Sequence, residues 1–353
     1  MYSKKASKIK YFLFALGFFL IPATPLAAQS VPNFTIPATL SFCGEPLPLH
    51  KRHCREMLDR EFTISVYDRA QVVMWLKRSS RYFPFFEREL KAAGLPDDLK
   101  YLAVAESALI TDIRSRAGAS GLWQFMKHTG RRQGLRITAT IDERLDPRAS
   151  TRAAVRYLAF LKKKFTNWPL ALAAYNCGEK RVSDAMSAQK SNDYFHLSLP
   201  RESERYLYRL AAIKIILNNP KAYGYRLPAF QRYQPLAGKS VILKLKNEYS
   251  LTAFALKMGT TYHTLKKLNQ HFIRKKLPNG KFHLYLPKGC KHNVEIVLKA
   301  MNPLSRKTGR QYTVKRGDTL GAISRRFRIP IAKLKKLNRL NSSKIMVGQK
   351  LHL

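Results

Sequence analysis

Residues 94–126 read GLPDDLKYLAVAESALITDIRSRAGASGLWQFM. Gly94 and Pro96 mark a start, and Asp97 and Asp98 sit where the first turn of a helix favours acids. Leu99, Leu102, Ala103 and Glu106 follow at i, i+3, i+4 and i+7, which places Glu106 on the apolar face of its own helix. A carboxylate on that face costs free energy unless it is paired or used. Downstream lie a turn-rich patch, Ser115 to Gly121, and then Leu122-Trp123-Gln124. A half-buried acid beside a Gly-rich turn carrying Trp and Gln suits the wall of a sugar cleft. Periodicity alone fits a second reading equally well, in which Glu106 ends a helix and is ion-paired with Arg114 or Arg116.

Working outward, four short motifs occur in order: AES at 105–107, GLWQFM at 121–126, AAYNCG at 173–178 and PRESERYLYRLAA at 200–212. DERLDPRASTRAAVRYL, at 142–158, lies between the second and third. In order and spacing these resemble the lytic murein transglycosylases, most closely the membrane-bound type D branch that carries LysM repeats. The resemblance runs from about Tyr67 to Tyr225 and again over the C-terminal tail. It implies a mainly α, lysozyme-like catalytic domain of the α+β superfamily, followed by small βααβ LysM modules.

The resemblance also implies a reaction. Cleaving a glycosidic bond usually takes two carboxyl groups. Enzymes of this family need one, because the C6 hydroxyl of N-acetylmuramic acid attacks its own anomeric carbon and closes a 1,6-anhydro ring. A single Glu protonates the leaving oxygen and later takes the hydroxyl proton, which is best done with a pKa near the working pH. Glu106 matches that position. By the same resemblance Ser115, Gln124, Met126, Tyr175, Asn176, Glu202 and Tyr206 are substrate contacts, and the Tyr175 hydroxyl lies near the acid and orients it. Trp123 fits the core as well as it fits a contact. No metal or organic cofactor is implied.

Two alternatives stay open. An N-acetylmuramidase would hydrolyse the same bond with a second acid such as Asp142, although Asp142, Glu143 and Asp146 also fit helix capping and ion pairs with Arg144 or Arg148. A non-catalytic peptidoglycan-binding protein would keep the LysM unit and do no chemistry.

Lys and Arg outnumber Asp and Glu by 65 to 22, a formal net charge of +43. Past Glu204 the only acids are Glu248, Glu295 and Asp318. Such a surface suits nucleic acid, an anionic membrane surface or an anionic wall polymer. Lys4, Lys5, Lys8 and Lys10, an apolar run from Tyr11 to Ile21 and the stretch PATPLAAQS follow the plan of a secretory signal peptide, with cleavage near Ala28. The run is shorter than the ~20 residues that span a bilayer. No Cys stands just after it, so no lipid anchor is expected. Export to the periplasm or cell envelope argues against nucleic acid as partner and favours peptidoglycan glycan strands, with a peripheral association with the envelope. Of four cysteines, Cys43 and Cys54 are close enough to bridge in an oxidising compartment, and none has metal-ligand spacing. Cys177 reads as a small buried residue.

The chain divides into a signal peptide at 1–28, an irregular Pro-rich arm at 29–60, the helical domain at 61–235, a degenerate LysM-like module at 240–289, a basic connector at 291–309 and a LysM domain at 310–353. The last two LysM-type segments share the order strand, helix, helix, strand, an internal repeat. In the final one Asp318 is expected to cap a helix, and glycan is expected on two loops, Gly317-Asp318-Thr319-Leu320 and the stretch about Ile345.

Overall fold

A computed structural model describes residues 34–235, 239–290, 293–304 and 311–353. The chain clusters into Met1–Thr35 and Ile36–Leu353. Of the first unit only Phe34 and Thr35 are described, so the expected signal peptide lies outside the described residues. All helices and strands below belong to the second unit.

The N-terminal body is helical. It opens with a small hairpin, β1 (Ser41–Phe42) and β2 (Glu45–Pro46), followed by α1 (Arg52–Tyr67) and α2 (Arg69–Ala92). Helix α1 corrects the expectation of an irregular arm over 29–60. Cys54, Leu58, Phe62 and Val66 recur every four residues and bury one face against the body. A turn of 3-10 helix at Asp97–Lys100 leads into the short α3 (Tyr101–Ser107). Then come α4 (Lys127–Arg132), α5 (Pro147–Phe165), α6 (Trp168–Cys177), α7 (Glu179–Gln189) and α8 (Arg201–Asn218). Asp146 caps α5 through Arg148 N and Ala149 N, with Pro147 in the first turn, as its sequence predicts. Helix α6 is almost wholly buried, because a run of Leu and Ala leaves no polar face. It packs between α5 and α8 at the centre of the body.

The second region pairs β3 (Lys239–Leu245) with β6 (Gly280–Leu286), antiparallel, Leu243 opposite Phe282. Between them lie β4 (Tyr249–Ser250), α9 (Leu251–Lys257), α10 (Tyr262–Leu268) and β5 (Lys276–Leu277), with β4 paired to β5. The expected connector holds a helix, α11 (Val294–Lys299), whose Val297 joins the core of this module together with Met301. That core also takes in Ile141 from the body, fully buried. The last region has β7 (Gln311–Thr313), α12 (Leu320–Phe327), α13 (Ile331–Asn338) and β8 (Lys350–His352), with β7 antiparallel to β8. Val314, Leu320, Ile323, Leu334 and Leu351 form its core. A mainly α body followed by βααβ units is thus the architecture expected from sequence.

The proposed bridge between Cys43 and Cys54 is not formed; both thiols are free and buried. Cys43 sits in the β1–β2 turn among Asp98, Lys214 and Glu45, whereas Cys54 lies on α1 beside His53 and Tyr208. Packing each thiol into its own pocket leaves neither facing the other. Among the described residues no helix is long and apolar enough to cross a membrane, and no cluster of His, Cys, Asp and Glu could hold a metal ion.

Candidate active site

Helix α3 is short because the chain turns sharply after it. Ala108 and Leu109 take left-handed conformations, φ 49° and 60°, and Ala108 N closes on Val104 O. Ser107 donates to Ala103 O and Leu122 O, tying the end of α3 to the turn that follows. Glu106 therefore stands in the last turn, with Leu99, Leu102 and Ala103 behind it at no exposure.

The turn-rich patch folds back as the opposing wall. Ser115 N donates to Ala119 O, Gly121 N to Ile113 O and Ser120 N to Phe125 O. Gly121 has φ 83°, and a Cβ there would lie 1.8 Å from Arg144 O, so only glycine lets the loop seat. Arg144, itself buried, donates to Gly118 O and Phe125 O and is held by Asp142. This clamp fixes the loop from behind.

Between the walls lies a cavity of about 590 Å³. Glu106, Ser115, Gln124, Met126, Tyr175, Asn176, Glu202 and Tyr206 all line it. The motifs, scattered over a hundred residues, thus converge on one cleft. Tyr206 donates to Glu106 Oε1 at 2.5 Å. Burial raises the Glu106 carboxyl to about 7; Glu202 adds to the rise, while the Tyr206 hydrogen bond and Arg209 oppose it. Burial and the neighbouring Glu106 also push the Tyr206 and Tyr175 hydroxyls well above their ordinary value. Asn176 accepts from Ser203 at 2.6 Å, and Gln124, at φ 44°, donates to Gly121 O.

Four expectations about the cleft are corrected. The tyrosine that bonds the acid is Tyr206; Tyr175 donates instead to Trp123 O at 2.8 Å. Arg114, a candidate partner for Glu106, is turned to Asp142 at 3.2 Å. Asp142 does not line the cavity, is 1% exposed, and is held by Arg144 and Arg114, which keep its carboxyl below the usual value in spite of burial. Trp123 is core, with no exposure and its Nε1–H on Thr151, though the residue is also part of the cleft wall. Cys177, expected to be buried, is half-buried at the cleft.

Arg209 was not anticipated. It lines the cleft and lies 3.9 Å from Glu202. Glu202, Tyr206 and Arg209 fall at i, i+4 and i+7 on α8, so one helical face carries all three, and that spacing was the available signal.

In the C-terminal unit Thr319, one residue later than expected, caps α12 through Ala322 N. Asp318 instead accepts from Tyr312 Oη at 2.7 Å and Lys315 N at 2.8 Å, which fixes the loop. Gly317 and Thr319 are exposed, Asp318 and Ile345 half-buried, and Leu320 belongs to the core.

The transglycosylase SLT domain family matches residues 83–198, and the LysM domain family matches residues 312–353. This is an SLT-domain chain with a LysM domain. The SLT-domain chain is 34% identical over 295 residues to membrane-bound lytic murein transglycosylase D of Escherichia coli strain K12, covering 78% of itself and 63% of that relative. It thus spans less than two thirds of the relative's length. It is also 34% identical over 135 residues to the peptidoglycan transglycosylase gp16 of Escherichia phage T7, covering 37% of itself and 10% of that protein. Among solved structures, the 70 kDa soluble lytic transglycosylase of Escherichia coli aligns at 22% identity and a TM-score of 0.35, covering 51% of this chain and 32% of that one.

Proposed function

We propose that the SLT-domain chain is a lytic transglycosylase of peptidoglycan. It cleaves the β-1,4 bond between N-acetylmuramic acid and N-acetylglucosamine and leaves 1,6-anhydromuramic ends, with Glu106 as the only acid and base. The observation that carries this reading is a carboxyl of pKa about 7, bonded by Tyr206, in a cleft that gathers every motif. Near neutral pH such a group holds its proton for the leaving oxygen and, once ionised, accepts the C6 hydroxyl proton. The relatives named for murein and peptidoglycan support the substrate. Export to the periplasm or cell envelope and capture of glycan by the C-terminal LysM loops complete the proposal.

The rival hydrolase would need Asp142 as a free second acid, and its ion pairs with Arg144 and Arg114 commit it elsewhere. Digestion of purified murein tests the reading. The wild-type chain is expected to release anhydro ends, and Glu106→Gln to lose at least about a thousandfold in rate while still sedimenting with murein. Reducing ends would favour the hydrolase, and an inactive wild type would favour a binding protein.

A further inference from the structure

A second cavity, of about 340 Å³, lies where α1, α2, α3 and α8 meet. Ala105 and Arg209 line it as well as the cleft, so the two adjoin across the residue that precedes Glu106. Its charged walls are Arg60, Arg205, Arg209 and Glu61. Glu61 is 4% exposed and faces all three guanidiniums, at 2.5 Å from Arg60, 3.3 Å from Arg209 and 3.8 Å from Arg205. Arginine stays protonated, so one carboxylate leaves these walls with positive charge in excess.

Two donors there are left without acceptors. Arg205 Nε is buried and has no hydrogen bond, its 3.8 Å to Glu61 being too long. Trp75, 6% exposed, also lines the cavity, and its Nε1–H has no partner. A buried donor left unpaired costs free energy that an anion with several lone pairs would recover. Arg60, Glu61 and Trp75 lie outside residues 83–198, the stretch matched to the SLT family.

We propose that this cavity is a carboxylate-binding subsite, which takes a peptide-stem carboxylate of the murein strand held in the adjoining cleft. The proposal rests on the murein reading above. A planar carboxylate suits guanidinium forks, and a stem branching from the muramic sugar can leave the cleft past Ala105. Capture of that charge would favour strands that still carry stems over stripped glycan.

The test uses the full chain with Glu106→Gln, so that nothing is cleaved, and calorimetric titration of two soluble murein fragments. One keeps its stem carboxylates, and the other has them converted to amides. The free-acid fragment is expected to bind about tenfold more tightly. Adding Arg60→Gln and Arg205→Gln should erase that preference while leaving affinity for the amide fragment unchanged. Equal binding of the two fragments by the unaltered pocket overturns the subsite and leaves the murein reading standing. So does a preference that survives the double substitution, or an equal loss for both fragments, which marks a structural role only. No binding of either fragment overturns the murein reading and the subsite together.

Discussion

The regions 239–304 and 311–353 share one layout, strand, helix, helix, strand, yet they treat their loops in opposite ways. In the first, the loop after β3 and the loop before β6 are zipped together by the β4–β5 pair and by Lys276 on Glu248 at 2.8 Å. Leu304 N closes on Glu248 O beside them. In the second, the corresponding loops are joined beside the strands by Val314 N on Gln349 O and Gly348 N on Val314 O, but the tip stands out, with Met346 and Val347 75% and 67% exposed. The first is also clamped to the helical body. Asp142 N donates to His271 O, Ile273 N to Thr140 O, and Tyr285 Oη to Asp146. Arg136 reaches Asn279 O and Lys281 O, and Ile141 enters the module's core. One scaffold thus serves as a buttress where its loops are spent on itself and on the body, and presents an exposed loop in the second region, the loop on which glycan capture is proposed. The buttress bears on Asp142 and so, through Arg144, on the loop that carries Ser115 and Gln124.

The strongest way to break this contrast is Phe272→Ala. Phe272 has no exposure, packs edge-on to Phe282 at 5.3 Å and bridges to Ile141. Its loss should cost about 3–5 kcal/mol. In urea, body and module should still unfold in one transition, at a lower midpoint; two separate transitions would show that the module is not fused to the body. Next comes Asp318→Ala, which frees the loop held on Tyr312 and Lys315. It should weaken sedimentation with murein by roughly tenfold, or ~1.4 kcal/mol, and leave cleavage of soluble fragments as it was. Glu248→Ala in the zipped loops should leave sedimentation unchanged, and equal losses for the two substitutions would erase the distinction. The smallest effect is expected from Tyr285→Phe, which removes one hydrogen bond to Asp146. Thermal melting should register a loss of about 1 kcal/mol. A loss several times larger would mean that Arg148, 4.4 Å from the Tyr285 ring, depends on the hydroxyl as well.

Much of this was legible in the residues. Helices α2, α5, α6 and α8 carry long apolar stripes, and α5 announces its start with Asp146-Pro147. Eight of the residues that line the cleft were named beforehand, seven from the motifs and Ser115 from the turn-rich patch between them. What was not legible is tertiary. Helix α1 hides behind Pro-rich sequence and begins without a side-chain cap, so only its buried Cys54, Leu58 and Phe62 betray it. The clamp between body and module runs largely through backbone atoms, such as His271 O and Thr140 O, which no residue type advertises. The motifs brought Tyr175, Tyr206 and an acid together, but which hydroxyl meets Glu106 depends on side-chain direction, and it is Tyr206. The second cavity is lined largely from outside the motifs, and its unpaired donors show only once α1 and α2 are packed.

The central claim is that Glu106 is a proton donor held protonated by burial until about pH 7. The dependence of kcat/KM on pH tests it most directly. Below that value the carboxyl carries its proton and cleavage proceeds; as pH rises through it the proton is lost and the rate should fall. The Tyr206 hydrogen bond lowers the value, so Tyr206→Phe should move the falling limb to higher pH. A wild-type limb near the ordinary carboxyl value of about 4.3, or one that Tyr206→Phe leaves in place, would contradict the account.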